Sequence, residues 1–190
     1  MAARFWVGGT GTWDSTNTAN WSATSGGAGG ASVPGAADDV TINTASITVT
    51  TNYNVSVISV TINASAATLS LGGTLTCSGA ITLTAGTFTT NNNAVAATQL
   101  VSNNSNTRTI NLGSSTLTFS TTSTAVSLQT NTNLTFNAGT STIIVSGVGA
   151  NLTGGSVNSA GVSFNNVSFT STSVGTYTIN GCLLYTSDAA

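Results

Sequence analysis

Asp14, Asp38 and Asp39 are the carboxylates available for chemistry along most of this 190-residue chain; Asp188, Arg4 and Arg108 complete its charged side chains. Glycoside hydrolysis, which two carboxylates can carry unaided, needs them about 5–5.5 Å apart for retention or about 6.5–9.5 Å apart for inversion. Asp38 and Asp39 are adjacent, so in an extended strand they point to opposite faces and do not flank one bond. Asp38 is expected to cap a turn into the first coil, and Asp39 to do the same. The chain has no His, Lys or Glu, so the common proton carriers are missing and its many serines lack a base. Zinc would need a His/Cys cluster, and the only cysteines are Cys77 and Cys182. Calcium could draw on Asp14, Asp38, Asp39 and backbone carbonyls, but neither an Asp-x-Asp-x-Asp-Gly loop nor a Gly-Gly-x-Gly-x-Asp repeat occurs. Cys77, in Leu75-Thr-Cys-Ser, reads as a small buried hydrophobe, and two cysteines make no disulfide framework. No catalytic residue, metal ligand or cofactor is expected. The same reasoning excludes two partners. Two arginines cannot line a nucleic-acid backbone, and no apolar run nears the ~20 residues of a membrane helix.

The elements that would position these residues are strands. The chain holds 38 Thr, 26 Ser and 21 Asn, yet 39% of it is hydrophobic, enough to bury a core. Short runs such as Val40-Thr-Ile, Ile47-Thr-Val, Val55-Ser-Val, Leu69-Ser-Leu, Leu117-Thr-Phe and Leu134-Thr-Phe alternate apolar with polar, the mark of half-buried strands. No segment keeps a helical period. Ile42, Ile62, Ile81, Leu100, Leu117, Leu134 and Leu152 follow at steps of 17 to 20 residues, a length suited to one coil of a parallel β-helix. Stacked coils would set Thr, Ser and Asn in hydrogen-bonded ladders around an Ile/Leu/Phe interior. Coils of ~18–20 residues predict seven or eight rungs and a rod ~35–40 Å long. The competing arrangement is an antiparallel β-sandwich, which also uses short strands and frequent turns.

Residues 1–37 differ in texture. All three tryptophans lie here, among paired glycines and the single proline, Pro34. A Trp/Gly-rich N-terminal cap over 1–37, coils over 38–181 and a distinct tail over 182–190 are therefore expected. The opening Trp6-Val-Gly-Gly-Thr-Gly-Thr-Trp-Asp14, then Asn20-Trp-Ser22, Ser25-Gly-Gly-Ala-Gly-Gly-Ala-Ser-Val-Pro34 and Ala37-Asp-Asp-Val-Thr-Ile42, resembles the N-terminal module of phage-encoded and secreted bacterial β-solenoid proteins of adhesin-like character. Val162-Ser-Phe-Asn-Asn-Val-Ser-Phe169 and Gly175-Thr-Tyr-Thr-Ile-Asn-Gly181 are similar to their repeat units. The resemblance implies a parallel β-helix capped at its N-terminal end, in a virion or surface appendage; it implies no activity. Trp6, Trp13 and Trp21 are expected to plug the open end of the first coil, or alternatively to stack on sugar rings.

The last nine residues, Cys182-Leu-Leu-Tyr-Thr-Ser-Asp-Ala-Ala190, resemble the translation of a sequencing adapter; the other reading is a final strand Leu183-Leu-Tyr and a frayed end. The start, Met1-Ala-Ala-Arg-Phe-Trp, lacks the apolar core of a secretory signal. The expected function is non-enzymatic: a structural or attachment component of a phage virion, in a tail fibre or on the capsid surface. A fragment of a secreted bacterial surface adhesin and a polysaccharide-degrading tailspike are the alternatives. Expected partners are further copies of the chain, other virion or surface proteins, and cell-surface glycans. The expected location is the virion or the cell exterior.

Overall fold

The computed structural model describes residues 1–154, 161–171, 173 and 175–180, together with the backbone of Cys182–Leu184. Half of the chain is strand and 2% is helix, wound into a parallel β-solenoid of about six turns. Among the described residues every strand pairing is parallel except one, between Ala2–Trp6 and Trp21–Ser22. That pattern excludes the sandwich.

Each coil contributes to three ladders. The first runs through Ala2–Trp6, Asp38–Ile42, the first halves of Ser59–Ser70 and Ala80–Thr89, then Gln99–Val101, Thr124–Ser127, Asn151–Thr153 and Thr178–Asn180. The second contains Gly11–Trp13, Thr48–Thr51, the second halves of Ser59–Ser70 and Ala80–Thr89, then Arg108–Asn111 and Leu134–Asn137. The third holds Val55–Val57, Leu75–Cys77, Val95–Ala97, Thr116–Phe119, Thr142–Val145 and Asn166–Phe169. The alternation read from the sequence sets the facing. Val49, Leu69, Phe88 and Ile110 of the second ladder are fully buried, and the residues flanking each lie at the surface or half-buried.

Register corrects the sequence-derived repeat. Val40, Val60, Ile81, Leu100, Val126, Leu152 and Ile179 stack directly, at steps of 20, 21, 19, 26, 26 and 27 residues. Ile42 does sit beside Ile62, and Ile81 beside Leu100. Leu117, however, belongs to the third ladder beside Val95, and Leu134 to the second beside Arg108. The coils lengthen because their corners do. Six residues, 102–107, separate the first and second ladders where three, 83–85, do one coil earlier, and residues 120–123 enlarge the return to the first ladder. Longer coils make about six turns instead of seven or eight.

The corners carry the strained backbone. Ser46 and Ala66, between the first two ladders, and Gly86, at the start of the second ladder, all have positive φ, at 58°, 56° and 90°. At Gly86 a Cβ would run into the Ala67 carbonyl oxygen, so only glycine fits. Polar side chains bond along the axis at corners and at strand ends. Asn91 Nδ2 donates to Ser70 Oγ (2.7 Å), Asn106 Nδ2 to the Thr84 carbonyl (2.9 Å), and Asn137 Nδ2 to Asn111 Oδ1 (2.7 Å). Among the described residues the expected Thr/Ser/Asn ladders are carried by asparagine, and the outward threonine hydroxyls do not bond one another. Where threonine donates along the axis it is buried and reaches a carbonyl of the adjacent coil: Thr90 Oγ1 bonds that of Leu112 (2.8 Å) and Thr153 Oγ1 that of Val126 (3.1 Å).

The segment 1–37 supplies the first rung. Ala2–Trp6 and Gly11–Trp13 add in parallel to Asp38–Ile42 and Thr48–Thr51, and Trp21–Ser22 folds back antiparallel over the outer edge of Ala2–Trp6. At the other end, Cys182–Leu184 pairs in parallel with Val162–Phe164. The expectations for Gly181, Tyr185 and Asp188 lie outside the described residues.

Candidate functional site

The carboxylates are occupied locally. Asp14 Oδ1 accepts from the Thr16 and Asn17 backbone N–H groups (2.8 and 2.7 Å) and from Thr16 Oγ1 (3.0 Å). These bonds, led by that of the Thr16 N–H, hold its carboxyl below the usual aspartate range although the group is exposed. Asp38 Oδ2 accepts from the Gly35 N–H (3.0 Å) while its own N–H returns to the Gly35 carbonyl (2.9 Å), closing the expected turn. Asp39 behaves differently from expectation. Its Oδ1 accepts from Ser59 Oγ at 2.5 Å, fastening one coil to the next, because strand pairing already places Ser59 beside it.

The tryptophans form one buried cluster. Trp6 and Trp21 meet edge to face with centroids 5.1 Å apart, and Trp13 meets Trp21 at 4.8 Å. Trp6 Nε1 donates to the Gly9 carbonyl at 2.7 Å. All three side chains are 0% exposed. The three rings thus pack on one another within the first rung and present no surface to solvent.

Both arginines are fasteners too. Arg4 Nε donates to the Ser32 carbonyl (3.0 Å) and its terminal nitrogen to Ser32 Oγ (2.7 Å), tying the loop before Pro34 to the first strand. Arg108 is 1% exposed, and among the described residues its hydrogen-bond partners are all neutral oxygens. Its Nε donates to the Asn106 carbonyl (2.8 Å), one terminal nitrogen to the Ser102 carbonyl and Oγ, and the other to the Thr130 and Thr132 carbonyls (3.0 and 2.8 Å). Burial lowers its pKa, yet a guanidinium stays charged. Sequence reasoning gave this residue no role. The signal was present: Ile110 must face inward, and parity then turns Arg108 inward as well.

Cys77 is buried, and burial pushes its thiol up to about 12, the inert group expected. One concavity interrupts the second ladder. Leu134–Asn137 and Val162–Phe164 do not pair directly, although Phe136 and Phe164 touch edge to face at 5.3 Å. An open cleft of about 550 Å³ lies there, with Leu134, Phe136 and Val162 as its apolar lining and Thr132 and Ser163 at its rim. Hydroxyl, amide and hydrocarbon groups of this kind can hold a neutral ligand but do not move protons at neutral pH. No protein-family model, curated protein or solved structure matches this chain.

Proposed function

We propose that the chain is a non-enzymatic structural and attachment element, a β-helical shaft of a phage tail fibre or capsid surface. The observation that carries this reading is the use made of its charges. Asp14, Asp38, Asp39, Arg4 and Arg108 each hold a turn, a loop or a neighbouring coil, so every described charged side chain serves the scaffold. Three ladders in register give a stiff body, and repeated display of weak contacts to surface glycans or to further copies would supply avidity without a strong single site. A fragment of a secreted bacterial adhesin would use the same shaft in the same way.

The genes flanking the source sequence separate these origins. Capsid and tail genes support the virion component; secretion genes move the shaft to a bacterial surface. Incubation of the purified protein with host capsular polysaccharide should leave chain length unchanged. Depolymerisation would overturn the reading and make the protein a tailspike enzyme.

A further inference from the structure

The outer face of the second ladder carries a regularity that attachment does not require. Thr48, Thr68, Thr87, Thr109 and Thr135 stand directly above one another in five successive coils. Two residues along each strand, a second rank reads Thr50, Ser70, Thr89, Asn111 and Asn137. Strand geometry puts neighbours about 4.8 Å apart along the axis and the two ranks about 6.7 Å apart. Among the described residues, none of the five first-rank hydroxyls bonds another protein group. Four of these threonines are half-buried and Thr135 is exposed, so hydroxyls and γ-methyls form one continuous surface. β-Branching restricts each side chain at χ1, so little order remains to be imposed on binding.

We propose that this face binds ice. The two spacings lie close to the oxygen repeats of the prism face of hexagonal ice, and each free hydroxyl of the first rank offers a donor and an acceptor, while Ser70, Thr89, Asn111 and Asn137 of the second rank are held in place by side-chain hydrogen bonds. The γ-methyls between them leave the intervening water no competing protein partner. Neither rank contains a charged residue, which complements an uncharged crystal; a charge would hold its own hydration shell in place of the lattice. Neither rank contains an aromatic side chain, the group that would favour sugar rings. The first ladder starts a similar column with Thr41, Thr61 and Thr82 but continues with Val101, and the third mixes Thr76 with Ala96 and Ile144. One face is thus singled out.

The test is ice-affinity partitioning with thermal hysteresis, using the intact chain. The wild type should enter a slowly growing ice front and open a gap between melting and freezing. Thr87→Lys and Thr109→Lys should reduce that gap several-fold, while Thr76→Lys, on the exposed part of the third ladder, should leave it unchanged. Circular dichroism checks that each variant folds; should the lysines prevent folding, Thr87→Leu must show the same loss. Exclusion of the folded wild type from ice would overturn the proposal. So would equal loss in Thr76→Lys, or retention on a neutral polysaccharide with no effect on ice. This outcome is independent of capsule depolymerisation and of gene neighbourhood, so it can fail while the attachment reading stands.

Discussion

Arg108 sits where the solenoid changes size. When the corner at 102–107 grows, the carbonyls of Ser102 and Asn106, and of Thr130 and Thr132 in the next coil, need donors that a β-ladder no longer supplies. Five N–H groups on one planar head satisfy them together. Arg108→Met should therefore lower stability by about 3 kcal/mol or more, read from urea midpoints, since it leaves several buried acceptors unpaired. Arg108→Lys should recover only part of this, because three donors on a point charge cannot reach both corners. At Cys77, burial raises the thiol from about 9 to about 12. Its stabilising contribution is present below the ordinary thiol range and is lost as pH rises toward the folded value. In a Cys182→Ser background the native protein should resist thiol labelling at pH 8 and react only after denaturation. Rapid native labelling would place Cys77 outside the core. The inert thiol and the turn at Asp38 were legible from neighbouring residues alone. The Asp39–Ser59 bond was not, because it joins residues whose proximity is set by coil length.

At the scale of elements, alternation announced the strands, and the ladders depend on corners that the sequence marks only weakly. Apolar residues at equal steps located the early coils, where corners are short, and failed after Leu100, where insertions of Asn and Ser lengthen each turn. Asn103, Asn104 and Asn106 look like any polar loop, and their effect on register appears only once the partner strands are known. The left-handed backbone at Gly86, where the second ladder begins, makes a sharper prediction. Gly86→Ala should cost about 2–3 kcal/mol, combining left-handed strain with a clash against the Ala67 carbonyl. A melting temperature equal to wild type would show that this corner is slack. The tryptophan cluster closes the first rung: Trp21→Ala should cost about 3–5 kcal/mol by opening a cavity between Trp6 and Trp13.

The whole molecule has very little to titrate. With four Asp, no Glu and no His, folding should take up or release almost no protons between about pH 5 and pH 8. Asp14, whose carboxyl is held low by the Thr16 and Asn17 N–H groups, contributes above the ordinary aspartate range and loses that small contribution as pH falls through its depressed value. A melting temperature flat across this window, with a modest decline below about pH 4, is the expected profile. A midpoint shift near pH 6 would require a titrating group that the fold does not contain among its described residues.

Coils stack in parallel with a period that lengthens midway, and backbone contacts measured by nuclear Overhauser spectroscopy on isotopically labelled protein test this stacking most directly. Cross-strand contacts should link Thr41 with Thr61 and Thr61 with Thr82, at separations near 20 residues. Beyond Leu100 they should link it with Val126, and Val126 with Leu152, at 26. Close Hα–Hα contacts between consecutive strands, the signature of antiparallel hairpins, would contradict it.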